Sequence, residues 1–397
     1  MMHCHILDYG IVSAMGTSID ACKSTLFAPT LPPLAFRDTA DGKPLPVFEV
    51  ADIPRLPESF RKYDCRNNRL AHLCFKQIAR TVADSLTRIS PVRLGVVVGS
   101  STSGLDASES AYKEFKATGV SGQNCCFHTR HAMGSLSRFI AELSGAEGPA
   151  YTLSTACSSA AKAMLSARGL IEAGICDVVI SGGVDSLCDL TINGFNSLGQ
   201  LSEARINPLS EHRNGLNIGE GGALFVLARK GGRIALFGGG ESMDAYHMSA
   251  PLPDGAGAAL AMERALQDAG MEPGQVRYVN LHGTGTRAND AMESNAVHRT
   301  IPDACASSTK PFTGHCLGAA GAVEAAICCM SLEDEQNRLP AHMFDGQIDP
   351  ALPPLRLVVP DSRIPESRKG QCYLSNSFAF GGSNCTLVLG KTDGGVQ

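Results

Sequence analysis

The sequence predicts an α/β fold with largely parallel, buried sheets, built as two similar halves. Three observations carry that expectation. Short apolar strand-like runs alternate with helical runs, the same run types recur late in the chain, and 44% of the 397 residues are apolar against 18% charged. Alternation of this kind lays helices over sheets and buries strands on both faces. A chain so long and so apolar has material for a large core, which excludes disorder of the whole.

The elements follow in chain order. Residues 6–13 (ILDYGIVS) read as a first strand entering a glycine turn. Residues 28–60 are proline-rich and aperiodic, which predicts a surface excursion. Leu70, Leu73, Cys74, Ile78 and Val82 recur at helical spacing and predict a helix over residues 58–80. Residues 177–180 (DVVI) and 277–281 (RYVNL) are buried-strand candidates. Helices are expected over residues 157–174, 256–269 and 318–332, with Gly174 and Gly270 as stops. Residues 233–242 repeat the character of 6–13, and 380–389 repeat 219–227 as a Gly-Gly turn feeding a β-rich run. The halves are therefore set at residues 1–232 and 233–397, joined at Lys230-Gly231-Gly232.

Composition narrows the function classes. The net charge of −5, the absence of Trp and 6% aromatics give no footprint for nucleic acid. No apolar run approaches the ~20 residues of a membrane span. The opening Met1-Met2-His3-Cys4-His5-Ile6 has no secretory pattern. Fifteen cysteines without a Cys-x-x-Cys pair read as mostly buried free thiols of a reduced, cytoplasmic protein. His3-Cys4-His5 reads as strand, and no metal site is expected.

Four segments carry candidate chemistry. In Leu153-Ser154-Thr155-Ala156-Cys157-Ser158 a β-prone run stops at a small-residue turn, and a helix starts at or just after Cys157. The positive end of a helix lowers a thiol's pKa, and a backbone N–H there can face an oxyanion. A buried structural cysteine is the bland alternative. His282-Gly283-Thr284-Gly285-Thr286 follows a strand end, where open α/β sheets bind ligands. Its partial fit to a dinucleotide loop lacks the acidic ribose ligand. Lys310-Pro311-Phe312-Thr313-Gly314-His315 precedes a small-residue helix carrying Glu324, and a helix-cap histidine would need no function. Asn376-Ser377-Phe378-Ala379-Phe380-Gly381-Gly382 is a glycine turn flanked by aromatics.

These four blocks in this order resemble the β-ketoacyl-acyl-carrier-protein synthases of the condensing-enzyme family, over nearly the whole chain. The resemblance implies the thiolase fold, a five-layered αβαβα sandwich of two similar halves, and a homodimer or a heterodimer with a ketosynthase-like subunit. It implies a decarboxylating Claisen condensation on an acyl carrier protein. No cofactor is implied, since the substrates ride on the carrier's phosphopantetheine. Cys157 would be the nucleophile, with the backbone N–H groups of Cys157 and Phe380 as oxyanion hole. His282 and His315 would hold the extender's thioester carbonyl, and Lys310 and Glu324 would tune that pair. Thr284 and Thr286 match positions that bind pantetheine, with Phe378 and Phe380 beside the substrate.

Two relatives of other function are weighed against this. A CoA thiolase needs a second catalytic cysteine in the loop that here reads Phe380-Gly381-Gly382-Ser383. A silent chain-length subunit would lack the cysteine that stands at 157. The sequence departs from the family at three places: the hydroxyl-rich loop Gly99-Ser100-Ser101-Thr102-Ser103-Gly104, Ala379 in place of Gly, and Ile206-Asn207-Pro208 where an Arg before that Pro is usual. These departures resemble specialised-pathway enzymes, including aryl-polyene ketosynthases. An acidic carrier must meet a local basic patch, and Arg61, Lys62, Arg66 and Arg69 are the candidates for docking.

Overall fold

The computed structural model describes residues 3–28, 30–120, 126–364 and 372–392. Its strands are β1 Cys4–Val12, β2 Ala35–Asp38, β3 Pro44–Val47, β4 Leu94–Gly99, β5 Ala150–Leu153, β6 Val178–Asp185 and β7 Gly221–Ala228 in the first half. The second half has β8 Ile234–Met243, β9 Val276–Asn280, β10 Cys305–Ser307, β11 Arg356–Leu357, β12 Cys372–Ala379 and β13 Ser383–Lys391. The strand order is β11-β10-β9-β12-β13-β8-β1-β7-β6-β4-β5, with β2 and β3 as a separate hairpin. Read outward from its centre, the order shows the duplication. β1-β7-β6-β4-β5 on one side matches β8-β13-β12-β9-β10 on the other. The two runs meet edge to edge where Cys4, His5 and Ile6 of β1 pair antiparallel with Leu236, Ala235 and Ile234 of β8.

Strands β4, β6, β7 and β12 are buried along their full length, and the first three accordingly carry unbroken apolar stretches (VVV, VVI and ALFVLA) instead of alternating. Two helices, Ser159–Glu172 and Ala320–Leu332, pack between the sheet runs and against each other. The second is buried on every face. Its small residues are a packing requirement: a Cβ on Gly321 would sit 2.9 Å from the Cβ of Ala161. Outside, Arg66–Leu86 covers β1 and β7, and Ala256–Ala269 covers β8 and β13. Helix, sheet, paired helices, sheet and helix make the five layers of a thiolase-type sandwich. One apolar cluster draws residues from both halves, from Cys4 to Leu389. Among the described residues no helix is long and apolar enough to cross a membrane.

Several sequence expectations need correction. The predicted helix over 58–80 is two elements, a 3-10 helix Glu58–Tyr63 and the helix Arg66–Leu86, broken by extended backbone at Asp64 and Cys65. The 28–60 excursion is not wholly superficial, because Leu45, Val47 and Phe48 are buried. The runs 177–180 and 277–281 are both strands but not equivalent ones: β6 corresponds to β12, and β9 to β4. The described cysteines are free and nearly all buried, while Cys125 lies outside the described residues.

Candidate active site

Strand β5 ends at Leu153, and the helix Ser159–Glu172 begins six residues on. Between them Ala156 takes φ +52°, a conformation a side chain rarely adopts, and this sharp turn sets Cys157 facing the opposite half. Ser159 secures the turn, its Oγ donating to the Ala156 carbonyl and accepting from the Thr155 N–H. The equivalent turn of the second half, between β10 and the helix Ala320–Leu332, carries His315. The two meet: His315 Nε2 lies 3.0 Å from Cys157 Sγ.

His282 follows β9, and its ring is 5.2 Å from that of His315, edge to face. One donor atom from each of Cys157, His282 and His315 lies within 4.8 Å of the others. Lys310 Nζ lies 3.4 Å from His282 Nδ1, donates to the His282 carbonyl and forms a fully buried ion pair with Glu324. An ammonium beside Nδ1 requires a lone pair there, so the ring proton of neutral His282 sits on Nε2.

Burial governs the electrostatics. It holds His282 and His315 well below the usual imidazole range, reinforced for both by the Lys310 charge. Both rings are therefore neutral at physiological pH. Burial raises the Glu324 carboxyl to about 7 against the opposing pull of Lys310. The Cys157 thiol differs from the expectation of a helix-lowered pKa. Desolvation pushes it up to about 11, and Lys310 with the amides of Phe380 and Cys157 itself offsets only part of that. The resting pair is a neutral thiol against a neutral imidazole, so the thiolate must form as the proton leaves.

The cleft over these residues is lined by Phe195, Phe378, Phe380, Thr284 and Thr286, among others. Phe380 stacks on Phe195 with centroids 5.3 Å apart, and Phe378 meets the edge of His282. Thr284 and Thr286 hydroxyls are 3.0 Å from each other. The Phe380 turn depends on Gly381 and Gly382, whose φ values of +81° and +78° favour glycine. Ala379 occupies ordinary extended backbone and tolerates its Cβ.

Two family models together cover most of the chain. "Beta-ketoacyl synthase, N-terminal domain" matches residues 61–231, and "Beta-ketoacyl synthase, C-terminal domain" matches 235–343. Nodulation protein E of Rhizobium meliloti is 34% identical over 334 residues, 81% of each chain. The chain belongs to the β-ketoacyl synthase family. The ketosynthase is also 31% identical to 3-oxoacyl-[acyl-carrier-protein] synthase 2 of Staphylococcus aureus, over 75% of each chain. Among solved structures it is similar to the ketosynthase ApeO, seen in complex with its chain length factor ApeC from Xenorhabdus doucetiae. The match has a TM-score of 0.91 and 39% identity over 98% of each chain. It is similar also to the ishigamide ketosynthase/chain length factor, with a TM-score of 0.88 and 25% identity over 99% of this chain and 100% of that one. The protein is a condensing acyltransferase of the 3-oxoacyl-carrier-protein synthase kind.

The structure brings Cys157, His282, His315, Lys310, Glu324, Thr284, Thr286, Phe378 and Phe380 into one site of the ketosynthase, and it does not do so for the basic cluster. Arg66 bonds Glu220 and Glu49 as well as the Val50 carbonyl, and Arg69 grips both oxygens of Asp64. A guanidinium fork matched by carboxylates is committed to the fold. Arg61 and Lys62 stay at the surface, paired with Glu58 and Glu142. Two buried carboxylates had no role in the sequence reading. Glu293 accepts from the N–H groups of His282 and Gly283 and from Asn376, fixing the His282 turn. Asp185 does similar work for the Ser100–Thr102 loop. An acid ending the apolar run of β6 was the available signal for Asp185.

Proposed function

We propose that Cys157 carries the growing acyl chain and that His282 and His315 activate a malonyl extender, in chain elongation on an acyl carrier protein. The observation that carries this reading is the 3.0 Å contact between the Cys157 sulfur and a neutral imidazole that shares a buried cleft with a second one. In the first step Sγ attacks the acyl thioester carbonyl, the oxyanion faces the amides of Cys157 and Phe380, and the thiol proton passes by way of His315 to the departing pantetheine sulfur. In the second, His282 and His315 donate N–H to the malonyl thioester carbonyl. The bond to the carboxylate breaks, CO2 leaves, and its electron pair becomes the enolate. The enolate carbon then attacks the acyl-cysteine, the C–S bond breaks, and the Cys157 thiolate takes up one proton. Neutral rings suit this step, since each must donate without carrying charge into a dry site.

A thiol-bearing site with both histidines in place favours a catalyst over a silent chain-length subunit. A subunit of that kind, or a second copy, is instead the partner we infer. Tyr112, Phe115, Phe127 and Met133 are 62%, 46%, 54% and 38% exposed around the helix Leu105–Thr118, more apolar surface than a lone chain favours. ApeO is paired with its chain length factor in its structure. For the carrier, an open groove lined by Arg55, Arg61 and Arg130, with Glu114 and the Asp64–Arg69 pair also on its wall, supports docking beside the 3-10 helix Glu58–Tyr63. The test is to load the protein from an acyl pantetheine thioester, map the adduct by mass spectrometry, and chase with malonyl carrier protein. An acyl group on Cys157 that chases into 3-oxoacyl product is the expected result. Product without an adduct at Cys157 overturns the nucleophile, and neither adduct nor product points to a scaffold.

A further inference from the structure

The loop after β4, Ser100 to Ser103, is made wholly of hydroxyl residues, and the structure shows what holds it. Asp185, the last residue of β6, is fully buried. Its Oδ1 accepts from the Ser100 hydroxyl at 2.7 Å, the Thr102 hydroxyl at 2.8 Å, and the N–H groups of Ser101 and Thr102 at 2.8 Å each. Its Oδ2 accepts from the Ser101 N–H at 3.0 Å and from the Ala319 N–H at 3.2 Å. Among the described residues no cation lies within ion-pair distance of it. A buried carboxylate without a counter-ion is costly, and here N–H and O–H dipoles alone stabilise it.

Its ligands belong to both sides of the reaction centre. Ser101 Oγ donates at 3.3 Å to the carbonyl of Ala156, the strained residue immediately before Cys157. Ala319 opens the helix that follows His315. Gly318 lies flush against the same group, where a Cβ would come within 2.5 Å of Ser101 Oγ and 2.8 Å of Asp185 Oδ2. One carboxylate thus ties the Cys157 turn, through Ser101, to the turn that carries His315. We propose that Asp185 is a positioning residue, which acts through Ser101 and Ala319 to hold the Cys157 sulfur at bonding distance from His315. This rests on the reading of Cys157 as nucleophile and adds to it the element that sets the nucleophile's geometry.

The test uses Asp185→Asn and Ser101→Ala in the full chain. The amide of Asp185→Asn sets an N–H donor against the N–H of Ser101 or Ala319, so the strut is broken at nearly constant volume. Misplacement of a reacting atom by about 1 Å costs roughly a hundred-fold. Cys157 acylation from a short pantetheine thioester is therefore expected to slow ~10–100-fold in kcat with KM unchanged. Malonyl-carrier decarboxylation without an acyl donor uses His315 but not the sulfur, so it is expected to fall clearly less than acylation does. Ser101→Ala, which removes only the link to Ala156, should slow acylation several-fold with an unchanged melting temperature, and the double variant should be no slower than Asp185→Asn. If Asp185→Asn does not fold, the same split in Ser101→Ala supports the strut. Acylation at the wild-type rate in Ser101→Ala and in folded Asp185→Asn overturns the proposal. So does an equal fall of both partial reactions with a lowered melting temperature, which would leave Asp185 a fold-supporting acid. Acylation mapped to another residue in the wild type refutes the nucleophile instead, so the two failures are told apart.

Discussion

The two halves share a strand order and place their functional turns at matching points, yet they equip those turns differently. The turn after β5 carries Cys157, and its counterpart after β10 carries His315. The turn after β4 carries Ser100, Ser101 and Thr102, and its counterpart after β9 carries His282. Each of these latter turns has two successive N–H groups held by a buried carboxylate, Asp185 in one half and Glu293 in the other. Beside its histidine the second half adds a buried ion pair, Lys310–Glu324. The difference teaches that one repeated strand order serves as scaffold for two sets of turns, and that on the proposed roles one half holds the covalent tether and the other the polarising groups.

Swapping chemistry out of one half should leave the other half's step running. Cys157→Gln is expected to lower condensation ~10³-fold or more while malonyl decarboxylation persists, measured as CO2 release beside product formation. Normal condensation by this variant would dissolve the division between halves. The converse variants His282→Ala and His315→Ala should each still accept an acyl group at Cys157, with decarboxylation reduced roughly 10²–10³-fold. His315→Ala should also slow acylation, because His315 alone of the two touches the sulfur; equal acylation rates in both would erase that distinction.

Glu324→Gln sharpens the comparison through pH. Wild-type Glu324 gains its charge as pH rises through about 7, and only the charged form balances Lys310 beside His282. Decarboxylation should therefore rise across that range in the wild type. The variant should be roughly ten-fold slower above it, and any step left in its profile belongs to Glu293, which burial also raises to about 7. A profile identical to the wild type would show that the ion pair does not govern His282. The smallest effect concerns the carrier. Arg61→Glu with Lys62→Glu should raise the KM for carrier-bound substrate several-fold, shrink with salt, and spare a short pantetheine thioester, whereas Arg66→Glu should destabilise the fold. Equal losses on both substrates would remove these two residues from docking.

The residues that meet in the candidate site were legible in the sequence because local features mark them: a thiol at a strand-to-helix turn, and histidines where apolar runs end. What set their state was not legible. Helix position argues for an acidic thiol at Cys157, but burial, a property of the whole fold, outweighs it. Arg66 looked like part of a surface charge cluster, since its partner Glu220 stands 154 positions away in the chain. Asp185 and Ser101 likewise meet across 84 positions. Short-range patterns find the candidate groups, and long-range contacts decide how they are held.

The junction of the two sheet runs has a consequence for biosynthesis. β1 is made before the other described strands, but its partners are β7 and β8, beginning at residues 221 and 234. At about 5–20 residues per second, the ribosome leaves β1 without either neighbour for roughly 10–40 seconds. For that interval a strand rich in apolar side chains has both backbone edges open, a template for pairing with another nascent chain. Production of this protein should accordingly respond to chaperone supply and translation speed, and separate expression of residues 1–232 would leave one edge of β1 permanently bare.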